Sequence, residues 1–265
     1  MLFFYVIAAV QIVLESFPVS SSGHLALLKI FACNYDVMPH SWRACSDFFL
    51  TEHGEYLLHL PTIFVSAWFF RTRWLWLVHT LPRCWRIIIK IVLLTCCADV
   101  VTSILYGIRI VTGFTLPLGC GFLITALLLA SLVWCPRYVY TSWNVRKALI
   151  LGFVQGIALM PGISRLAATY VSGRWLGLAE HKALEISFLI QWPLLVAACI
   201  RSIYCVHGTG YNTQFLNPVM ALVMLVASVG AVYGLHVTAY LSSHNRWWYF
   251  ACYMSIPSIV WFMVR

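Results

Sequence analysis

A chain of 265 residues that is 62% hydrophobic and 9% charged, with a mean hydropathy of +0.87, cannot clothe a water-facing surface, where about 25% charged residues is usual. This excludes a soluble domain and predicts an integral membrane protein. The net charge of +9 reads as loop Lys and Arg that orient the chain and meet anionic lipid heads, not as a nucleic-acid surface, and twelve Trp with thirteen Tyr suit two interfacial belts.

In chain order, the first apolar stretch covers 2–32 and is broken by Pro18 and by Ser20-Ser21-Ser22-Gly23. It lacks a basic leader region and an A-x-A-like cleavage site, so it reads as mature protein. Each half is about 12–15 residues, or ~20 Å, too short to cross ~30 Å of hydrocarbon alone. A re-entrant hairpin is the economical reading, and broken helices at membrane depth are tolerated only where buried in protein or lining a wet cavity. Segment 33–55 then holds Asp36, Asp47, Glu52 and Glu55, four of the eight acids. Spans are predicted at 52–70, 87–106 and 116–135, the first containing His59 and Pro61. A second broken stretch, 148–175, is interrupted by Pro161-Gly162. Spans at 182–204, 217–240 and 247–264 complete the chain.

The two broken stretches match when the chain is slid by 144 residues: Val10-Gln11 falls on Val154-Gln155, Val19-Ser20 on Ile163-Ser164, and Ser21 on Arg165. That is an internal repeat of hairpin plus three helices: 1–135 with hairpin 2–32, and 148–265 with hairpin 148–175. Loop charge sets the orientation. Arg71, Arg73, Arg83, Arg86 and Lys90 mark one cytoplasmic loop, and Arg137, Arg146 and Lys147 a second, while the connector 107–115 carries only Arg109. The acid-rich 33–55 then lies outside. An odd number of spans separates the hairpins, so the repeats are inverted. The predicted fold is a single all-α integral membrane domain over 1–265, with six transmembrane helices and two re-entrant hairpins that meet near the midplane, where such folds build polar sites.

Ten cysteines are scattered without a CxxC pair, which argues against a zinc or redox site. Most sit in apolar runs as small hydrophobes; Cys33 and Cys45 could pair outside the cytoplasm.

The chemistry-bearing residues collect in the hairpins. Gln11 and Glu15 share a helix face at i, i+4, and a carboxylate in hydrocarbon usually faces a cavity or a partner. The turn 19–23 offers hydroxyls and free N–H groups and opens a helix whose N-terminus favours an anion. His24 follows one turn in and can titrate near neutral pH. The second hairpin supplies Ser164, Arg165 and Thr169, and a guanidinium fork fits phosphate oxygens. Together these can bind a phosphate and hydrolyse it. A plainer alternative makes Glu15 and Arg165 a buried structural ion pair and the serine run a device for satisfying backbone groups. Asp99 belongs to the site or pairs with a nearby polar group. His59, His79, His207 and His236 read as interfacial or packing residues.

At these residues the sequence resembles a known family. "QIVLESFPVSSSGHL" and "ALILGFVQGIALMPGISRLAAT" are similar to the two signature regions of the undecaprenyl-diphosphate phosphatases of the bacitracin-resistance type, a Glu/Gln-x-x-x-Glu element followed by Pro-Val-Ser-Ser-x-Gly-His, and Pro-Gly-x-Ser-Arg-Ser-x-x-Thr. "ALEISFLIQWPLLVAA" resembles the family's next helix. The resemblance implies a bacterial inner-membrane enzyme that removes the terminal phosphate of undecaprenyl diphosphate for peptidoglycan synthesis, with its site open to the periplasmic or outer side. By motif, Gln11 and Glu15 fall on the acidic pair, Ser20 and Ser21 on the paired serines, His24 on the family histidine, and Ser164, Arg165 and Thr169 on the second signature. Leu166 and Ala167 replace the usual Ser-Gly, Met254 stands where an Arg is expected after Tyr253, and Asp99 where a Pro is expected.

The expected chemistry is phosphoanhydride hydrolysis. Arg165, Ser164, Thr169 and the turn amides hold the diphosphate, with Gln11 and Ser20 beside it. The nucleophile is Ser21 activated by His24, or His24 itself. Glu15 orients His24 or ligates a divalent cation; Mg²⁺ or Ca²⁺ would arrive with the diphosphate, since one carboxylate is a poor metal site. No organic cofactor is expected, and the partners are the polyprenyl diphosphate and membrane lipid. A transporter or flippase of an anionic polyprenyl phosphate lipid would share the inverted repeats and the Arg, but would not need Glu15 with His24.

Overall fold

A computed structural model describes residues 2–34, 57–79, 81–136, 142–209 and 217–264, and every regular element among them is helical. In order these are α1 (Leu2–Leu14), α2 (Ser21–Asn34), α3 (Leu60–His79), α4 (Leu81–Thr112), α5 (Leu118–Ser131, continued by a 3₁₀ turn, Leu132–Trp134), α6 (Val145–Ile157), α7 (Arg165–Trp175), α8 (Glu180–Thr209), α9 (Pro218–Ser243) and α10 (Trp248–Val264). The acid-rich loop 33–55 beyond Asn34, and Arg137, fall outside the described residues, as does the Cys33–Cys45 pairing. Cys96, Cys97, Cys120, Cys135, Cys199 and Cys252 form no disulfide among the described residues.

Among the described residues, three helices are long and apolar enough to cross a bilayer by length and composition: Trp85–Thr112, Glu180–Tyr204 and Pro218–Ser243. They correspond to the expected spans 87–106, 182–204 and 217–240, while the other three stretches have limits set by local features. The expected span 52–70 becomes Leu60–His79, because Pro61 is tolerated only in the first turn of a helix, where its missing N–H is not required. α5 with its 3₁₀ turn stops at Trp134: Cys135 is extended (φ −74°, ψ 125°) ahead of Pro136, as the residue before a proline prefers. That leaves Leu118–Trp134 and Trp248–Val264 as shorter apolar helices. The chain is thus a multi-pass, all-helical membrane protein.

Helix contacts occur in matched sets between the two halves. α4 packs on α6 and α9 on α1; α3 meets α9 and α8 meets α4; α2 meets α10 and α7 meets α5. The α4–α6 and α1–α9 crossings share a construction. Small residues let the backbones approach, Gly152 against Ala98 in one and Gly234 against Ser16 in the other, as membrane helix pairs prefer. In each, a threonine of the long helix donates to a carbonyl of the short helix or of the turn that ends it: Thr102 Oγ1 to Gly152 O at 2.9 Å, and Thr238 Oγ1 to Ser16 O at 2.8 Å. α5 and α10 close over Gly119, whose carbonyl accepts from Ser258 Oγ at 2.9 Å and whose Cα packs against Trp261. Phe122, Leu129, Tyr170, Trp247 and Met254 lie buried in the resulting core.

Candidate functional site

Both broken stretches fold as helix–turn–helix units. In the first, α1 ends at Leu14 and α2 begins at Ser21; Ser20 Oγ accepts from Gly23 N at 3.2 Å, and Ser20 O accepts from His24 N at 3.0 Å. In the second, α6 ends at Ile157 and α7 begins at Arg165; Ser164 Oγ accepts from Ala167 N at 3.2 Å, and Ser164 O from Ala168 N at 2.9 Å. Ser20 and Ser164, the matched residues of the sequence repeat, therefore do one job: each caps a helix. Gly162 makes the second turn possible with φ +82°, a left-handed conformation that costs a glycine little.

The second tip is tied down by α5. Thr125 Oγ1 accepts from Ser164 N at 3.0 Å and lies within bonding distance of Gly121 O (3.0 Å) and Gly162 O (3.2 Å). Gly121 is obligatory here, since a Cβ on it would stand 2.0 Å from Pro161 O.

The two tips meet. One small polar cavity is lined by Glu15, Ser20, Ser21 and Ser22 from the first hairpin, Ser164 and Arg165 from the second, and Gln191 from α8. Its volume is about 20 Å³, room for little more than one water. The N-termini of α2 and α7 both end at it, so two helix dipoles and one guanidinium favour an anion there. Glu15 is the only carboxyl in the lining.

Glu15 is buried and held at the start of α3: His59 Nδ1 pairs with Oε1, and Thr62 Oγ1 donates to Oε2. This corrects the reading of His59 as an interfacial or packing residue; it is 2% exposed and is the direct partner of the site carboxylate. A buried carboxylate requires such a partner, and that requirement was the available signal. His24 is placed differently. Its Nδ1 lies 2.6 Å from Ser20 O, which can only accept, so Nδ1 donates and Nε2 accepts from the Tyr253 hydroxyl at 2.9 Å. Its ring stacks on Tyr253 and meets the edge of Phe122. Tyr253 is a second residue that sequence reasoning missed, since an aromatic on an apolar helix looks like belt or packing.

Of the expected site residues, Glu15, Ser20, Ser21, Ser164 and Arg165 share the cavity lining, while Gln11, His24 and Thr169 are not part of it. Gln11 is fully buried one turn before Glu15. Thr169 donates to its own helix, to Arg165 O at 2.8 Å. Asp99 lies on α4 outside the lining, both carboxylate oxygens buried without a hydrogen-bond partner among the described residues. Leu166, where the family resemblance leads one to expect Ser, lines the cavity, and Met254 is fully buried in the core. Among the described residues no group of three or more His, Cys, Asp or Glu could hold a metal ion. Glu15, already paired, could give a divalent cation one oxygen at most, the rest coming from a bound substrate.

The site can be set beside known proteins. The family described as "Bacitracin resistance protein BacA" matches residues 4–260. The chain is 25% identical to the undecaprenyl-diphosphatase of Borrelia recurrentis (strain A1), over 98% of this chain and 97% of that protein. It is 28% identical to the undecaprenyl-diphosphatase of Gemmatimonas aurantiaca, over 97% and 95% of the two chains. A third similar protein, the undecaprenyl-diphosphatase of Desulfosudis oleivorans, is 30% identical over 95% of this chain and 93% of its own. With nearly its whole length matched, the signature residues at its two helix caps included, the chain belongs to the bacitracin resistance protein BacA family.

Proposed function

We propose that this chain hydrolyses the terminal phosphate of undecaprenyl diphosphate, yielding undecaprenyl phosphate and inorganic phosphate and so recycling the lipid carrier of peptidoglycan synthesis. One observation carries the reading: two capped helix N-termini, Arg165, Ser21 and Glu15 converge on a single polar cavity inside an apolar molecule. The family and the names of its relatives support the same activity.

The terminal phosphate enters between the tips, where Arg165 and the amides of the two helix N-termini take its oxygens and stabilise charge as the phosphoryl group moves. Ser21 is the nucleophile, because it lines the cavity and His24 does not. Its Oγ–P bond forms as the bridging P–O bond breaks, and undecaprenyl phosphate leaves with the electron pair. The hydroxyl proton passes to Glu15, the lining's carboxylate. Water then attacks the phosphorus as the Ser21 Oγ–P bond breaks; inorganic phosphate leaves, Glu15 returns its proton to Ser21 Oγ, and the proton lost by the water goes to solvent. His24, held between Ser20 O and Tyr253, positions the first turn of α2. Mg²⁺ or Ca²⁺ delivered with the substrate would neutralise diphosphate charge that a single Arg leaves unmatched.

The matched helix contacts support an inverted repeat of 1–135 and 148–265, with α1–α2 and α6–α7 as re-entrant hairpins and α3, α4, α5, α8, α9 and α10 as six crossings. The chain then lies in the bacterial inner membrane with its site reached from the outer side.

The test uses purified protein in detergent with farnesyl diphosphate labelled in its terminal phosphate. Phosphate release falls about 10²–10³-fold in Arg165→Ala, the usual cost of losing one charge-stabilising donor. Label trapped on the protein survives acid, as a phosphoserine does, and is absent from Ser21→Ala. Acid-labile label would move the nucleophile to His24, and binding without release would end the phosphatase reading.

A further inference from the structure

A second cavity, of about 550 Å³, lies apart from the first. Its walls come from the later part of α3, the early parts of α4 and α8, and Trp143, which precedes α6. These segments adjoin the cation-rich loops that mark the cytoplasmic side. The floor is apolar, with Ile87, Ile91, Ile186 and Leu189. The same lining holds three cations, Arg73, Lys90 and Lys182, against one acid, Glu185, a formal excess of two positive charges.

These charges are arranged. Glu185 is 4% exposed, and its Oε2 takes both Arg73 Nε at 3.1 Å and Lys182 Nζ at 3.0 Å. One buried carboxylate thus fixes two cations and neutralises only one of them. Lys90 has no carboxylate partner among the described residues. A separate observation points to a ligand. Trp143 is 7% exposed, and its indole N–H is buried without an acceptor among the described residues, whereas a buried indole donor ordinarily finds one. The site therefore lacks an acceptor oxygen and negative charge, over a floor fit for hydrocarbon.

We propose that this cavity binds an anionic phospholipid of the surrounding leaflet. Its phosphate accepts from Lys90, the Arg73–Lys182 pair and the Trp143 N–H, and the first methylenes of its chains lie on the isoleucine floor. A zwitterionic lipid would bring an ammonium group towards the same cations, so the anionic headgroup is preferred. Glu185 and Gln191 are six residues apart on α8, about 9 Å along the helix. The bound lipid therefore lies beside the helix that carries Gln191 and outside the first cavity.

The experiment is lipid binding to the purified full chain in neutral detergent, read by native mass spectrometry with phosphatidylglycerol, phosphatidylcholine and farnesyl monophosphate as probes. Phosphatidylglycerol is retained in preference to phosphatidylcholine. Lys90→Gln, at an exposed position, weakens that retention about fivefold, the value of one cation near a lipid headgroup. Trp143→Phe, which keeps a ring and removes the donor, weakens it about tenfold. Phosphate release from farnesyl diphosphate stays at the wild-type level in both variants, so loss of the lipid site and loss of the phosphatase are read separately. Equal retention of the two phospholipids, or unchanged phosphatidylglycerol binding in both variants, overturns the proposal. So does displacement of phosphatidylglycerol by farnesyl monophosphate, which would assign the cavity to the reaction product.

Discussion

Glu15 shows how much a single buried charge organises around itself. It is the only acid lining the cavity between the two tips, and His59, just before α3, and Thr62 in its first turn answer it. Breaking a buried pair by removing one partner strands the other charge and typically costs about 3–5 kcal/mol. His59→Phe is therefore expected to lower the thermal unfolding midpoint markedly and to abolish phosphate release, whereas His59→Gln, which keeps a donor towards Oε1, is expected to retain most of the stability. Equal midpoints for His59→Phe and the parent protein would mean that the pair does not form. The residues in and around the cavity were unevenly legible from sequence. Glu15, Ser20, Ser21, Ser164 and Arg165 are polar breaks in apolar runs, and polarity in hydrocarbon is conspicuous. His59 is separated from Glu15 by the acid-rich loop and lies two residues before Pro61, so it read as an interfacial or packing residue. Tyr253 was hidden for the opposite reason: on an apolar helix an aromatic ring is ordinary, and only its contact with His24 gives it a role.

At the scale of elements, the second hairpin is fixed at both ends. Its tip is bound through Thr125, which serves Ser164 N and lies against two carbonyls. At its base Arg174, 2% exposed, donates to Leu178 O, Pro136 O and Glu180 Oε1, joining the end of α7 to the chain after α5 and to the start of α8. Thr125→Val keeps the shape and removes the hydroxyl, leaving the Ser164 N–H without its partner, at a cost of about 1–3 kcal/mol. The expected result is a modest fall in unfolding midpoint and a larger loss of phosphate release, since Arg165 follows directly on the loosened cap. A fall in stability with full activity would mean that the tip does not set the position of Arg165. The helix–turn–helix form of both stretches was readable because each half is too short to cross the bilayer and each turn carries a capping serine. The span limits were less so: proline at 61 moved the start of α3, and Pro136 cut short the helix before it, effects that hydropathy does not register.

For the whole molecule, the matched sets of contacts make a statement about sidedness that can be measured. α5 runs between Phe114, which is 60% exposed, and the segment holding exposed Asn144. In a background without the native cysteines, Phe114→Cys should react with an impermeant maleimide from the outer side and Asn144→Cys only after the membrane is opened. Labelling of both from one side would remove the crossing by α5 and with it the opposed entry of the hairpins. The narrowness of the catalytic cavity has its own consequence. A chamber with room for one water admits a diphosphate only when something wedges the jaws apart, and a bare pyrophosphate ion brings little to do so. A prenyl tail packed along apolar helix faces makes contacts far from the reacting bond, and binding energy gained there can be spent at the cavity. Catalytic efficiency should therefore climb steeply from pyrophosphate through geranyl to farnesyl diphosphate, and comparable cleavage of all three would contradict this. On this reading so slight a gap works as a gatekeeper, closed to soluble phosphate esters and opened by a guest held through its tail.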